Sequence, residues 1–468
     1  MGLGRVLVLV LAFQLALPWN YSGLAAYGQE APSAPAATPV DLDLSSTDRN
    51  VAASQVLSPT AQATIDLGGI ARTISPTDML TAAEMVAVRQ VVNTGNQYLQ
   101  LNDLGAAIGG GLHLSYYASN GLGNLVIPEG VRATQNAALL QSLNLTGNLT
   151  NSGTFNVLST NAAVTAASIN ANNIYNNAGA LISSTLANLN LNAVNNIVNA
   201  GTIMSAGNLS MTAGGSISNI GAAAMMQAVN NLSMQAASIV NQGQIAAQLG
   251  NVTALTAQVS NSGIIQSLAN NVNIHNLVGT QLSVDGILGS ISAAKNINLS
   301  TLPTVKDFDG NVVSKGLISL TGNSLFGQEL NFTSPEGIVS VSADRLNGPV
   351  AVSAGVAYIG AKNGDLILSR MELTGDPIYY AQSGNLDLGG LFSGGSTFST
   401  SGGDFVALAS GDIIATGAPS DALIDTTPSY NTGFITIIAG VDFNVTGGAS
   451  PISCTDCAPL YTITGTST

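Results

Sequence analysis

The sequence predicts an all-β chain: a right-handed parallel β-helix (β-solenoid) with a short N-terminal helical cap. Three observations predict it. Asn-x-Gly triplets begin at Asn151, Asn177, Asn199, Asn219, Asn241 and Asn261, so they step by 26, 22, 20, 22 and 20 residues. A period near twenty is that of a coil that buries its apolar face only by stacking on its neighbours. A second unit, Gly-Asn/Asp-apolar, returns at Gly147-Asn148-Leu149, Gly207-Asn208-Leu209, Gly250-Asn251-Val252, Gly364-Asp365-Leu366, Gly384-Asn385-Leu386 and Gly411-Asp412-Ile413. Finally, Ala133 to Val284 holds no Asp, Glu, Lys or Arg, although 46% of the whole chain is hydrophobic. Stacked coils place like residues about 4.8 Å apart, where like charges repel and Asn side chains can hydrogen-bond.

The elements follow in order. Residues 1–28 read as a signal peptide: Arg5 is the basic n-region, Val6 to Leu17 the apolar core, and Ala26-Tyr27-Gly28 a small-residue cleavage site. The apolar run is too short to span a bilayer, which takes about 20 residues, and no other stretch is long enough. Residues 29–74 read as an Ala/Pro-rich linker followed by short strands. Residues 75–96 read as the capping helix over Ser75 to Val92, with Thr81 and Glu84 as a capping box and Leu80, Met85, Val88 and Val92 as its apolar stripe; Asn93-Thr94-Gly95 ends it. Residues 97–450 are the solenoid, clearest over 141–280, and residues 451–468 are a C-terminal tail.

One unit shows the local geometry. Asn199-Ala200-Gly201 is a corner and Ile203 lies in a short strand. Gly207-Asn208 turns into Leu209-Ser210-Met211, Ile217 lies in a third strand, and Asn219 starts the next coil. The Asn and Gly of each triplet (Gly153, Gly179, Gly201, Gly221, Gly243 and Gly263 among them) suit corners because they tolerate positive φ. Leu, Ile, Val, Met and Ala take the inward positions, and Ser, Thr, Asn and Gln the outward ones. Asp307-Phe308-Asp309-Gly310-Asn311, between Val305 and Val312-Val313, reads as a protruding hairpin. A calcium loop would need a further Asp and a closing Glu.

Composition restricts function. Net charge is −14 and only 8% of residues are charged, so no basic stripe exists for nucleic acid. The only histidines, His113 and His275, have no Cys or acidic residue at metal spacing. No cofactor or metal is expected. Cys454 and Cys457 form one Cys-x-x-Cys, read in an exported chain as a local disulfide. The tract from Ala133 to Val284 lacks the carboxylates and cations of a glycan-cleaving site. The alternative, a β-helix polysaccharide lyase or hydrolase, needs a site in 285–468, where sixteen acidic and six basic residues lie. Asp344-Arg345 and Asp365 with Arg370 are its nearest candidates.

In these units the chain resembles the filamentous haemagglutinin-like family of bacterial surface proteins. The nearest stretch is Asn195-Asn196-Ile197-Val198-Asn199-Ala200-Gly201-Thr202-Ile203 followed by Gly207-Asn208-Leu209-Ser210-Met211-Thr212-Ala213. The resemblance implies a secreted or cell-surface, outer-membrane-associated scaffold that mediates adhesion or cell contact without catalysis. Its implied partner is a carbohydrate or protein on another cell surface. The chain departs from the family in having no Asn-Pro-Asn secretion motif, and the tail from Leu460 has neither the strands nor the aromatic girdles of a translocator barrel. An end without an evident cap fits a piece of a longer chain or assembly.

Overall fold

The computed structural model describes five short strands between Val40 and Leu80, then residues 124–466 except 128, 130, 139, 160, 186–187, 401–403, 427–432 and 448–458. About thirteen parallel turns stack into one β-solenoid, a rod about 60 Å long at about 4.8 Å per turn. Among the described residues the only helical segment is the 3₁₀ turn Gly389–Phe392.

Each coil has three faces. In one, Thr202–Ser205 lies on the first face, Leu209–Ala213 on the second and Ser216–Asn219 on the third. Met225–Ala228 then returns to the first face, one rung on. The first face is an 11-stranded sheet. Register is held strictly, with Ile182, Ile203, Met226, Ile245, Ile265, Ile291 and Leu325 in one inward column. All seven are buried. Leu209 stacks likewise between Leu189 and Leu232. Strand side chains alternate in and out, so a slip of one residue would turn these columns into solvent. Apolar periodicity of two within strands and about twenty between coils therefore fixes the fold.

Before Leu209 the second and third faces merge: Ala166–Asn176 and Asn188–Asn199 each bend around the corner as one strand, with a register shift at Ala171/Asn173. Val40–Asp43 adds a parallel strand beside Val131–Asn136 at the N-terminal edge of the first face. The linker region thus contributes to the solenoid. Of the helix expected over 75–92, only Met79 and Leu80 are described. Met79–Leu80 is extended and pairs antiparallel with Val51–Ala52. At these two positions strand pairing overrides a modest helical propensity. Thr81 to Val92 lie outside the described residues, as do residues 1–39, Cys454 and Cys457.

The insertion at Asp307 is a hairpin, Val305–Lys306 against Val312–Ser314. Asp307 accepts hydrogen bonds from the backbone N–H of Asp309 and Asn311 and from Asn311 Nδ2. The solenoid runs on to Ile435–Ile438. Val441–Gly447 then pairs antiparallel with Pro459–Thr466, so the expected tail carries a strand. Phe443 of this hairpin packs on the outer side of the third face with Tyr380, Val406 and Leu408. That contact explains why outward positions there are apolar.

Candidate functional site

The Asn-x-Gly corners build an internal ladder. Nδ2 of Asn151 donates to Oδ1 of Asn176, Asn176 to Asn199, Asn199 to Asn219, Asn219 to Asn241 and Asn241 to Asn261, all within 2.7–2.8 Å. All six side chains are buried. Most also donate to a first-face carbonyl of a later coil, as Asn199 does to Met225 at 3.0 Å. A buried amide costs little only when its donors and acceptor are both satisfied. The asparagines are therefore inward structural groups, and positive φ is not the reason for them: among described non-glycine residues only Leu288 and Glu336 have it. The second member is Asn176, one residue before the Asn177 of the triplet, whose own Nδ2 bonds Ser152 on the outside.

The glycines of the triplets serve two needs. Gly179 and Gly221 have φ of +77° and +94°. Gly201, Gly243 and Gly263 instead pass so close to the preceding coil that a Cβ would lie 2.1–2.3 Å from a backbone oxygen. Gly153 donates its N–H to Asn151 Oδ1.

A second ladder runs along the corner between the first and second faces. Oδ1 of Asn188 accepts the N–H of Asn208, Asn208 that of Asn231, Asn231 that of Asn251, and Asn251 that of Asn271. Asp365 does the same for Asn385, and Asn385 for Asp412. The bond repeated at this position needs only an acceptor and faces water, with one added amide bond from Asn231 Nδ2 to Asn208 Oδ1, so Asp can stand for Asn here and not in the buried ladder.

The outer side of the second face is a flat array of uncharged hydrogen-bonding groups. One column holds Ser210, Ser233, Thr253, Asn273, Asn298 and Asn331 on successive rungs. A neighbouring column begins with Asn144, Asn170 and Asn192, bonded amide to amide at 2.6 and 2.7 Å. It continues through Thr212 and Gln235, is broken by the apolar Leu255, and reaches His275, whose Nδ1 lies 2.7 Å from Ser300 Oγ. Burial lowers the His275 pKa, so the ring is a neutral, outward member of the array.

The residues considered for catalysis are engaged structurally. Asp344 accepts from Ser324 Oγ at 2.9 Å and Asn363 Nδ2 at 2.7 Å. Asp365 holds the Asn385 N–H, and Arg370 lies 3.6 Å from Glu372. Arg345 sits on the first face in register with Ser324. Among the described residues no three His, Cys, Asp or Glu side chains converge as a metal site. His113 lies outside them.

One feature escaped the sequence reading. Beyond Asn261 the buried ladder skips a coil: Gly286 takes the Asn position, and Asn261 Nδ2 donates instead to Asn323 at 2.8 Å. Beside the gap opens a groove of about 530 Å³, lined by Ser260, Ser262, Asp285, Ile287, Thr321 and Lys362 over Gly286 and Gly322. The sequence signal was the missing Asn-x-Gly after residue 263, coinciding with Asp285, the first charge after the neutral tract.

Among the described residues no helix is long and apolar enough to cross a membrane. Comparison of the chain with family models, curated proteins and solved structures finds no match.

Proposed function

We propose that this chain is an exported, non-catalytic scaffold of the filamentous haemagglutinin-like kind that holds a cell to carbohydrate on another surface. The observation that carries this reading is the second face. Successive rungs repeat hydroxyl and amide groups about 4.8 Å apart over a stiff rod, without a charge from Ala133 to Val284. Such an array suits many shallow polar contacts to a repeating polymer, where multivalency compensates for weak single sites. Uncharged outward groups also suit hydroxyl-rich ligands better than phosphate backbones. The signal-like segment at residues 1–28 supports delivery to the outside.

A glycan array read beside a reducing-end and unsaturated-product assay tests it. The expected outcome is retention of oligosaccharides without turnover. Turnover abolished by Asp344→Asn or Asp365→Asn would replace this reading with the lyase or hydrolase one. The mature N-terminus, read by mass spectrometry of extracellular and membrane fractions, tests export. Cleavage near Gly28 is expected, and an intact Met1 in the cytoplasm would overturn it.

A further inference from the structure

We propose that the groove at the break in the buried ladder is a subsite for an acidic sugar chain, with Lys362 reading a uronate carboxylate and Asp285 reading ring hydroxyls. The proposal rests on the carbohydrate reading above and names a chemical class within it.

The site follows from a local change of sequence. In the regular coils a buried Asn and a short turn close this corner; Asn241-Gln242-Gly243 and Asn261-Ser262-Gly263 each lead straight into a first-face strand. In the next coil Gly286-Ile287-Leu288-Gly289 replaces the short turn and pushes outward, leaving Ile287 and Leu288 81% and 91% exposed. The groove floor is backbone. A Cβ on Gly286 would lie 1.8 Å from the Asn261 carbonyl oxygen, and one on Gly322 would lie 2.3 Å from that of Gly286. Two glycines thus keep the floor clear of side chains.

The walls are chemically distinct. Ser260 and Asp285 are register partners on adjacent third-face strands, and Thr321 and Ser262 add hydroxyls. A carboxylate accepts two hydroxyl protons at once, which is the natural match to neighbouring hydroxyls on a sugar ring. At the far end stands Lys362, in the coil that follows Asp344, and no ion pair joins it to Asp285. The Ile287 side chain gives an apolar surface for a ring face. Ser260 and Lys362 stand four rungs apart, about 19 Å at about 4.8 Å per rung before the lysine side chain reaches back. That span fits a short chain of rings, and the volume falls within the range of about 300–1,000 Å³ of small-ligand sites. A neutral oligosaccharide would leave Lys362 unmatched; a uronate would meet it with a charge-assisted hydrogen bond.

The experiment uses the full chain and two 1,4-linked probes that differ only at C6, trigalacturonate and galactotriose, titrated calorimetrically at low ionic strength. Wild type is expected to bind the acidic trimer about tenfold or more tightly than the neutral one. Lys362→Gln should abolish that preference, and Asp285→Asn should weaken both probes. Lys295→Gln, whose Nζ bonds Asn270 instead, should change neither. Neither groove charge has a hydrogen bond holding the fold, so unchanged far-UV circular dichroism and Tm are expected of both variants. Equal binding of the two trimers, unchanged preference in Lys362→Gln, or no binding of either trimer by wild type overturns the groove proposal. The array retention that tests the adhesive reading is a separate readout, so an adhesive rod with no acidic subsite is recognised as such.

Discussion

Asn199 donates from Nδ2 to Oδ1 of Asn219 at 2.8 Å with both side chains fully buried, and Asn219 repeats the bond to Asn241. Each ladder asparagine from Asn176 to Asn261 is donor to one coil and acceptor from another, a role that no ionised carboxylate can fill. Asn219→Asp replaces the Nδ2 donor with a second acceptor opposite Asn241 Oδ1 and the carbonyl oxygens of Ala224 and Gln244. The buried charge loses its partners at a cost of about 3–5 kcal/mol. Thermal unfolding should register a large fall in Tm. By contrast Asn208→Asp keeps the acceptor for the Asn231 N–H at an exposed corner, and its stability should stay within about 0.5 kcal/mol of wild type. Equal effects at the two positions would refute the division of labour between the ladders.

Close coil-to-coil approach makes a second prediction. Gly243→Ala places a Cβ 2.1 Å from the Ala224 carbonyl oxygen, a backbone atom that cannot swing aside. Gly310→Ala, at the hairpin tip, meets nothing within 4 Å and has only its φ of +83° against it. Denaturant titration should show the first variant losing about 1–3 kcal/mol, as overpacked sites do, and the second about 1 kcal/mol, the scale of a left-handed residue.

Core stacking sets a third. Leu209 is fully buried between Leu189 and Leu232. Leu209→Asp removes about 1.5–3 kcal/mol of apolar burial and adds a charge with no partner. The variant should show the longest loss of cooperative unfolding in the set, and Leu209→Ala an intermediate loss of about 2–5 kcal/mol. A wild-type unfolding curve for Leu209→Asp would place that side chain outside the core.

The fold was legible because it is written locally and repeated. Ile203, Leu209 and Ile217 were assigned to three strands of one coil, and the structure puts them on three faces of one coil, all fully buried. The corners were found for an incomplete reason. Asn and Gly were read as residues of positive φ, whereas buried amide bonding and close approach of coils account for most of them. Those causes depend on the neighbouring coil, about twenty residues away, and a single unit does not display them. The same non-locality hid Asn176 behind Asn177 and concealed the groove, whose walls at Ser260 and Lys362 are separated by a hundred residues. At Met79 and Leu80 the favourable helical sequence was outweighed by pairing with Val51 and Ala52.

A pH prediction follows from His275. Burial lowers its pKa from 6.5 in the folded chain, so the folded state resists a proton that the unfolded state accepts. Well above pH 6.5 the ring is neutral in both states and contributes no pH dependence. As pH falls below 6.5 the unfolded state gains the proton first, and stability declines until the folded ring also titrates. The Tm difference between pH 7.5 and 5.5 should therefore be smaller in His275→Gln than in wild type, because carboxylate contributions are common to both. An identical or larger difference in the variant would show that the ring titrates freely.

The adhesive reading makes its sharpest demand on the second face. Ser233 and Thr253 are register partners in the outward column, on adjacent rungs between Ser210 and Asn273. Both are solvent-facing, so Ser233→Glu with Thr253→Glu should leave the core and both ladders intact. Like charges on adjacent rungs repel, which costs stability of about 1 kcal/mol but does not unfold a rod held by so many coils. What changes is the surface: two carboxylates interrupt the neutral array at its centre. If repeated shallow contacts along this column hold the ligand, retention on a glycan array should fall more steeply for long oligosaccharides than for short ones, since only long chains must cross the interruption. A matched pair on the first face, Thr202→Glu with Met225→Glu, which are also partly exposed register partners, carries the same charge elsewhere and should leave retention unchanged. Equal loss from both pairs would mean that net charge governs binding, and loss from the first-face pair alone would move the adhesive surface to the first face.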